Sequence, residues 1–515
     1  MMRTLLPLCA IAMTPLLAGC GAGGADATQV GPATYYVDAT RGDDANSGLS
    51  PESPWRTLTQ ASTLQLQPGE RLLLKCGETF EGRLEICGRG TADSLACVGS
   101  YGEGAMPVIV APDSSLYAVR IYASDYLTCS GLELINHGSQ DLPRRTGLRL
   151  ESIDRGTSHQ ITLDGLYIHD VNGSLVKQQG GGSGILVTTS SQSRPGELPS
   201  NYDHLTIQNC HLQRCQRNAM IWEEQSDRSH WNPSLHTLVR GNLIEQVPGD
   251  GIVPIACDSC LVEWNVMRDC PATLPDTEAA AGFWPWSCDN TVIQFNEVSG
   301  HKAPWDGQGY DSDYNSRGTV IQYNYSHDNY GGLCLICTPA ESDWNIGNHG
   351  SLVQYNVSIN DGIRPQATPR GIFSPSVHFG GPSVSTRFEH NVIHQGVEQG
   401  AAADRRMVAM DSWEGYADSV LIAHNLFYAP LPSSFDQGRA TRVTFRDNYL
   451  VGEFADAPEA VNEAASRYYL EQVVAVDPAG FGGIAPIMTH RDVCGYEGTF
   501  VDPSAIRQAF AQFEQ

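Results

Sequence analysis

Basic residues are scarce in this sequence. Lysine and arginine together number 32 against 58 aspartates and glutamates, which leaves a formal net charge of −26. Lysine occurs only three times, at Lys75, Lys177 and Lys302. A protein that binds nucleic acid needs a basic surface to neutralise phosphates, so this balance excludes DNA and RNA as partners.

Several catalytic and nucleotide-binding motifs are missing as well. The sequence has no Gly-x-Ser-x-Gly elbow, so the adjacent His327 and Asp328 have no serine of that kind to activate, and acyl transfer is disfavoured. No phosphate loop and no dinucleotide-binding fingerprint occurs. The functions that remain do not depend on a nucleotide or an acyl-enzyme.

Long apolar runs are confined to the N-terminus. Arg3 precedes an apolar stretch from Leu5 to Leu17 that is too short to span a membrane, and Leu-Ala-Gly-Cys at 17–20 has the form of a lipobox. We predict that residues 1–20 are a lipoprotein signal peptide and that residues 21–33 are a flexible tether. The mature chain would be exported and anchored to a membrane of the bacterial cell envelope through lipid on Cys20. An ordinary secretory signal is the alternative.

Thirteen cysteines follow Cys20, an odd number that suits an oxidising compartment and leaves one thiol free if the others pair. Two pairs, Cys257 with Cys260 and Cys334 with Cys337, have the spacing of half a zinc site. Buried small side chains or disulfides explain the pairs better, because cysteine packs well as a small apolar residue. We predict no metal at these cysteines.

A strand-like motif recurs through the middle of the chain. Val-Ile-Gln-Phe-Asn at 292–296 returns as Val-Ile-Gln-Tyr-Asn at 320–324 and as Leu-Val-Gln-Tyr-Asn at 352–356. Alignment on this motif places eight asparagines in one column, 23 to 35 residues apart: Asn242, Asn265, Asn296, Asn324, Asn356, Asn391, Asn425 and Asn448. Asparagine is disfavoured in strands. The column therefore predicts stacked coils in which each amide bonds the next, about 4.8 Å away.

Two other repeat folds do not fit, because the Leu-x-x-Leu-x-Leu of leucine-rich repeats and the blade signature of propellers are absent. The opening of the chain is a strand from Tyr35, an Asp/Asn/Gly loop and a helical stretch at Thr57 to Leu64. With the repeat, it resembles the right-handed parallel β-helix proteins of the pectin-lyase-like superfamily. The resemblance implies an all-β solenoid over residues 34–455 whose open end is plugged by the short helix. Residues 456–515 would then form a C-terminal capping segment, with candidate helices at Ala457–Leu470 and Pro503–Gln515.

A second strand column opens at small residues, mostly glycines. Side chains alternate between the two faces of a strand. If the residue that follows each opening small residue points inward, these residues form a stack in the core: Ile185, Met220, Ile252, Phe283, Tyr310, Leu333 and Ile372. The outward face then carries carboxylates and tryptophans: Glu223, Trp284, Trp286, Asp311 and Asp313, which Asp411 and Trp413 extend. Indoles stack on sugar rings and carboxylates bind hydroxyls or transfer protons, so this face predicts a carbohydrate-binding strip. A solvated face with aromatics covered by loops is the alternative.

Asp311 and Asp313 lie two residues apart on one predicted strand, so their Cα atoms are about 6.6 Å apart on the same side. This suits the carboxylate separation of roughly 6.5–9.5 Å in inverting glycosidases. Charges this close raise one pKa, so one carboxyl serves as acid while the other stays ionised. We predict an extracellular polysaccharide-degrading glycoside hydrolase that requires no cofactor, with this pair as catalysts and Asp306 as a third candidate. Simple bonding of the pair to loop backbone is the alternative.

Lys302 supports a different mechanism. A polysaccharide lyase needs a base beside a uronate carboxylate and positive charge to stabilise the enolate. The superfamily includes lyases as well as hydrolases, and the Asn-Thr-Asp and Arg-Ile-Lys motifs of its polygalacturonase branch are absent. In the lyase alternative Lys302 is the base and calcium is held by carboxylates: Asp250, Asp306, Asp311 and Asp313. The third alternative is a non-catalytic carbohydrate-binding coil or adhesin. In each case we predict a monomer whose partner is a polysaccharide.

Overall fold

A computed structural model of the chain describes residues 31–190, 196–223, 227–364, 367–368, 371–396, 402–403, 405–456, 458 and 488–511. The predicted signal peptide, the predicted lipobox with Cys20 and the predicted tether up to residue 30 lie outside these residues. So does the predicted helix at Ala457–Leu470, apart from residue 458. Within the described part of the chain, no helix has the length and apolar character needed to cross a membrane.

The described chain is a parallel β-helix, as predicted, in which successive turns stack strand on strand. The first sheet has fourteen strands: Thr34–Val37, Arg71–Lys75, Ala96–Tyr101, Leu127–Ser130, Ile161–Asp164, Thr206–Gln208, Leu238–Arg240, Leu261–Glu263, Val292–Gln294, Val320–Gln322, Leu352–Gln354, Arg387–Glu389, Leu421–Ala423 and Thr444–Arg446. The second sheet has thirteen strands, one after each first-sheet strand except Thr34–Val37: Thr79–Glu81, Val108–Val110, Glu133–Asn136, Tyr167–Val171, His211–Cys215, Leu243–Glu245, Val266–Arg268, Glu297–Ser299, Tyr325–His327, Val357–Asp361, Val392–Gln395, Leu426–Asp436 and Tyr449–Ala455.

A third sheet closes the coil and carries the site described below. Its strands are Gln65–Leu66, Leu84–Gly88, Tyr117–Tyr122, Thr146–Ser152, Ser183–Thr189, Asn218–Glu223, Ile252–Val253, Tyr310–Ser312, Cys334–Cys337, Val377–Gly380 and Arg406–Asp411. Single bridges through Phe283 join the Ile252 and Tyr310 strands. Short strands at the corner before the first sheet complete several turns: Thr157–His159, Asn201–Asp203, Ser234–Leu235, Cys257–Asp258, Ser316–Arg317 and Asn348–His349.

The smaller elements lie at the ends and in the loops. A short helix, Leu58–Ala61, is capped by the Thr57 hydroxyl and buries both of its terminal side chains against the core, which confirms the predicted N-terminal plug. Loop segments add the paired strands Ala279–Ala280 with Trp305–Asp306 and Ile363–Arg364 with Ala402–Ala403, and the 3₁₀ turns Lys177–Gln179 and Arg228–His230.

The asparagine column forms the predicted ladder. From Asn242 to Asn425, each asparagine donates its backbone N–H and its Nδ2–H to Oδ1 of the next, at 2.8–3.0 Å. Each Nδ2 also donates to a first-sheet carbonyl of the preceding turn, such as that of Ile293 for Asn324. The ladder satisfies amide groups that would otherwise be buried without partners.

The residue before each of the last seven ladder asparagines makes the bend between the first and second sheets. Six of these residues are aromatic and adopt left-handed backbone with φ between 53° and 58°: Trp264, Phe295, Tyr323, Tyr355, His390 and His424. Their rings stack on one another at centroid distances of 4.6–5.4 Å, and we call this row the corner stack. Stacking offsets the cost of left-handed backbone at bulky residues.

The C-terminal segment lies along the flank of the coil in its described part, residues 488–511. An antiparallel hairpin, Met488–Val493 with Tyr496–Val501, leads into the helix Pro503–Ala511. The rest of the predicted helix, up to Gln515, lies outside the described residues. Phe500 packs edge-on against Trp264, and Phe510 packs against Tyr355 and His390. This C-terminal strap therefore covers the corner stack, whereas a cap was predicted at the end.

The third sheet differs from its predicted register at one point. The predicted core column is buried from Ile185 to Leu333, but Tyr310 pairs with Cys334, one residue later than predicted. The next strand in line begins at Val377, and Ile372, predicted for the core, is 39% exposed in the loop before it.

A pair of glycines explains the shift. A Cβ on Gly331 would stand 2.3 Å from the backbone nitrogen of Gln308, and one on Gly332 would stand 2.1 Å from the carbonyl oxygen of Pro375. Both glycines therefore lie where the backbone of other segments leaves no room for a side chain, and the strand begins after them, at Cys334.

The thirteen cysteines in the described residues form no disulfide with one another. Cys257, Cys260 and Cys334 are buried in the core, as expected for small apolar side chains, whereas Cys337 is buried outside the core cluster.

We expect Asn324→Ala to lower stability more than Asn448→Ala. Asn324 bonds ladder partners on both sides, whereas Asn448 bonds a ladder asparagine on one side only. Each buried group left unpaired costs about 1–3 kcal/mol. Gln322→Ala is the matched control, because Gln322 bonds Gln294 and Gln354 in a partly exposed row beside the ladder. This substitution should lower the free energy of unfolding less than Asn324→Ala. Equal midpoints for the two asparagine variants in urea unfolding would contradict this expectation.

Candidate active site

A cavity of about 190 Å³ opens on the outer face of the third sheet. Its lining combines four carboxylates, one ammonium and four large aromatic side chains with small residues: Lys177, Asp250, Ala279, Ala280, Ala281, Trp284, Trp286, Asp306, Asp311, Asp313, Tyr314, Leu335, Cys337 and Trp413. Asp306, Asp311 and Asp313, predicted from sequence as catalytic candidates, therefore line one cavity together.

Strand alternation positions Asp311. On Tyr310–Ser312, the Tyr310 ring points into the coil, where its hydroxyl donates to the carbonyls of Asn296 and Tyr325. Asp311 consequently points outward into the cavity, as predicted. It is nevertheless 5% exposed, because loops cover this face of the sheet, and its Oδ1 is buried without a hydrogen-bond partner.

Asp306 reaches the cavity from a loop. The two-residue strand Trp305–Asp306 pairs with Ala279–Ala280, and Asp306 adopts left-handed backbone with φ of 62°. Buried Arg364 holds this conformation by donating to three carbonyls: those of Ala303, Pro304 and Asp306 at 2.6–3.0 Å. The buried arginine therefore fixes the backbone from which the Asp306 side chain enters the cavity.

The carboxylates perturb one another. Burial, then the charges of Asp313 and Asp250, raises the pKa of Asp306 to about 7. Burial also raises the pKa of Asp313 to about 6, although the Cys337 thiol, the Tyr314 N–H and Lys177 favour its ionised form. The pKa of Asp311 lies well above its usual range because of burial and the charge of Asp306. At neutral pH the cavity thus holds both protonated and ionised carboxyls.

Lys177 is the cation of the cavity lining, and sequence reasoning gave it no role. It begins the 3₁₀ turn Lys177–Gln179, fixed by a 2.9 Å bond from its N–H to Glu278 Oε2. Its Nζ lies 5.1 Å from the centroid of the Trp284 ring. The rarity of lysine in this chain was the signal that marked it, but the three lysines were not distinguishable without the fold.

Asp250 supports the cavity floor. Its Oδ2 accepts a 2.8 Å bond from Arg217, which also pairs with Glu278 at 3.2 Å and is fully buried. Its Oδ1 accepts from the Trp284 indole and from the backbone N–H of Ala281. Protein donors thus engage both oxygens of Asp250, one of the four carboxylates predicted for calcium.

Aromatic rings form one wall of the cavity. Trp286 and Tyr314 pack edge to face at 6.3 Å, and Tyr314 packs likewise against Trp413. The indole Nε1 of Trp286 is buried without a hydrogen-bond partner. Trp284, predicted to stack on sugar, is 5% exposed and is tied to Asp250. The open part of the wall is therefore built around Trp286, Tyr314 and Trp413.

Three residues predicted for the site do not line this cavity. Lys302, the predicted base of the lyase alternative, lies outside it beside buried His301. Glu223 is paired with Arg144 at the surface. Asp411 pairs with His378 at 2.8 Å. Glu223 and Asp411 end third-sheet strands that lie three positions before and three positions after Tyr310–Ser312 in the stack.

Stability should depend on pH through these acids. Their folded pKa values lie above the unfolded value, so the native protein retains protons that the unfolded chain releases, and stability falls as pH rises from about 4 to about 7. We expect Asp311→Asn to remove part of this loss. The free energy of unfolding of the variant, measured in urea relative to wild type, should therefore be higher at pH 8 than at pH 4.5. Asp113→Asn is the control, because bonds from Ser139 lower the pKa of that exposed carboxyl. Its stability relative to wild type should change with pH in the opposite direction. A gain for Asp311→Asn that is equal at both pH values would contradict this assignment.

The chain is similar to proteins that act on carbohydrates. No family model matches the chain. A lacto-N-biosidase from Bifidobacterium longum is 28% identical over 419 residues, which covers 64% of this chain and 26% of that protein. The chain therefore spans about a quarter of the length of this curated relative.

Two solved structures extend the comparison. A GH136 lacto-N-biosidase from Eubacterium ramulus has 25% identity and a TM-score of 0.59, over 82% of this chain and 68% of that one. A PL6 alginate lyase complexed with a trisaccharide has 9% identity and a TM-score of 0.51, over 92% and 93% of the two chains, and shares the fold alone. The predicted resemblance to parallel β-helix carbohydrate-active proteins is confirmed.

Proposed function

We propose that the protein is a glycoside hydrolase acting on oligosaccharides, with an activity of the lacto-N-biosidase type. The observation that carries the proposal is the group of Asp306, Asp311 and Asp313 in one cavity beside an aromatic wall. Similarity to lacto-N-biosidases supports hydrolysis in preference to elimination. The lyase alternative loses its base, because Lys302 does not line the cavity.

Asp306 is the proposed general acid. Its pKa of about 7 keeps it largely protonated below neutrality and able to donate to the glycosidic oxygen as the bond to the anomeric carbon breaks. Asp313 is the ionised partner, because an N–H and a thiol donate to it. It attacks the anomeric carbon directly or removes a proton from the attacking water, as the second carboxylate of a glycosidase does.

Asp311 is proposed to remain neutral and to donate a hydrogen bond to the substrate. Its burial makes ionisation beside Asp306 and Asp313 costly. Lys177 compensates part of the negative charge and favours the ionised form of Asp313. Trp286 and Tyr314 supply the surface against which a sugar ring packs.

A plot of kcat/KM against pH should be a narrow bell-shaped curve. Loss of the Asp306 proton lowers kcat/KM as pH rises through about 7, and protonation of Asp313 lowers it as pH falls through about 6. Initial rates between pH 4 and 9 provide the measurement. A rate that stays constant from pH 5 to pH 9 would contradict both assignments.

Incubation of the purified protein with a panel of oligosaccharides and polysaccharides, including lacto-N-biosidase substrates, tests the proposal. Both new reducing ends and the ultraviolet absorbance of unsaturated uronates are recorded. Reducing ends without absorbance support hydrolysis, whereas absorbance with reducing ends selects a lyase. Chelation of divalent ions should leave hydrolysis unchanged, since the proposed steps use side chains alone. Absence of products across the panel would favour a binding protein.

A further inference from the structure

We propose that Asp203, His204 and His236 form a binding site for one divalent transition-metal ion of the class of Zn²⁺. These residues lie at a corner of the coil, and none of them lines the cavity of the candidate active site. Their ligand atoms, one per residue, all lie within 4.8 Å of one another.

Consecutive turns of the coil bring the two histidines together. His204 follows the strand Asn201–Asp203, and His236 follows Ser234–Leu235 in the next turn, both in left-handed backbone with φ of 63° and 52°. The His204 N–H donates to the carbonyl of Leu235 at 3.0 Å, which fixes the two corners relative to each other. The imidazole centroids are consequently 4.7 Å apart.

Asp203 lies between the two rings. Its Oδ1 is 2.7 Å from Nδ1 of His204 and 2.8 Å from Nδ1 of His236. His159, in the turn before, places its Nδ1 3.8 Å from Asp203 Oδ2 and is a candidate fourth ligand. Three turns of the coil thus contribute to one cluster.

The donor set selects the class of ion. Two imidazole nitrogens and a carboxylate suit Zn²⁺, Co²⁺ or Ni²⁺ rather than Ca²⁺ or Mg²⁺, which prefer oxygen alone. Ligand atoms around one Zn²⁺ lie roughly 3–4 Å apart at bond lengths of about 2.0–2.2 Å. Both imidazoles are more than half exposed, so rotation of these side chains brings the nitrogens to a shared ion without moving the backbone. The ion would link successive turns and stabilise the coil.

Calorimetric titration of the full chain with Zn²⁺ tests the site, with protein prepared without a histidine tag and freed of metal by a chelator that is then removed. We expect one ion per chain and a higher Tm with Zn²⁺ than without it. His236→Asn should weaken binding at least tenfold and abolish the Tm shift, and Asp203→Asn provides a second variant should His236→Asn fail to fold. His230→Asn is the matched control, because His230 is an exposed histidine beside Asp227 outside the cluster.

Three results would overturn the site: wild-type protein that takes up no Zn²⁺ at micromolar concentration, affinity that is unchanged in both cluster variants, or an equal loss in His230→Asn. Addition of Co²⁺ distinguishes ligand chemistry, since its absorption spectrum responds to the loss of one imidazole. A spectrum identical in wild type and His236→Asn also counts against the site.

Discussion

Asp306→Asn is expected to lower kcat by roughly 10²–10⁴, the contribution typical of a positioned general acid. Asparagine has nearly the shape of aspartate and needs no proton to stay neutral in a buried site, so the fold and the Tm should be retained. Asp313→Asn should cause a similar loss, because an amide neither attacks the anomeric carbon nor accepts a proton from water. Rates with saturating oligosaccharide measure both effects.

A control separates catalysis from a general loss of negative charge. Asp418→Asn changes a carboxylate that pairs with Arg442 at a corner of the coil and does not line the cavity. It should keep wild-type activity. If Asp306→Asn and Asp313→Asn also keep full activity while hydrolysis is detected, the catalytic centre lies elsewhere on the coil.

Arg217→Met should destabilise the protein by about 3–5 kcal/mol, the usual cost of removing one member of a buried ion pair. Arg217 is fully buried, and its loss leaves Asp250 and Glu278 without their cation. Asp250 then carries an unpaired charge beside the other cavity carboxylates. Urea unfolding measures the loss, and activity should fall with it.

The matched control uses the exposed pair of Arg144 with Glu223. Solvent screens this pair, so Arg144→Met should cost less than about 1 kcal/mol. Combining Arg217→Met with Asp250→Asn should recover part of the lost stability, because the second change removes an unpaired buried charge. Equal unfolding midpoints for Arg217→Met and Arg144→Met would show that the buried pair does not organise the cavity.

The sequence predicted those features that repeat from turn to turn. The asparagine column could be predicted from the sequence because each turn needs the same amide at the same bend. The ladder hydrogen bonds confirm this column. Asp311 was placed correctly because alternation along a strand is a local rule. The cluster of Asp306, Asp311 and Asp313 was readable for a similar reason, since all three lie within eight residues.

Features that depend on loops were not predictable. Lys177 is more than a hundred residues from Asp306 in sequence, and only the stacking of turns brings it to the same cavity. The register after Tyr310 changed because two glycines are required by close backbone contacts that no sequence pattern records. Asp250 was predicted as a calcium ligand because its partner Arg217 lies in the preceding turn, and the sequence does not reveal that contact. In each case the missing information was a contact between turns.

The C-terminal strap gives the coil a property that stacked turns alone lack. In a solenoid each turn contacts only its neighbours, so turns can fray one after another from an end. Here Thr499 bonds Glu297, 202 residues away in sequence, and Arg507 bonds Tyr323, 184 residues away. Turns joined by one strap must open together, which raises the cooperativity of unfolding. Because the strap follows these turns in the chain, the turns gain this cooperativity only after the strap has been synthesised.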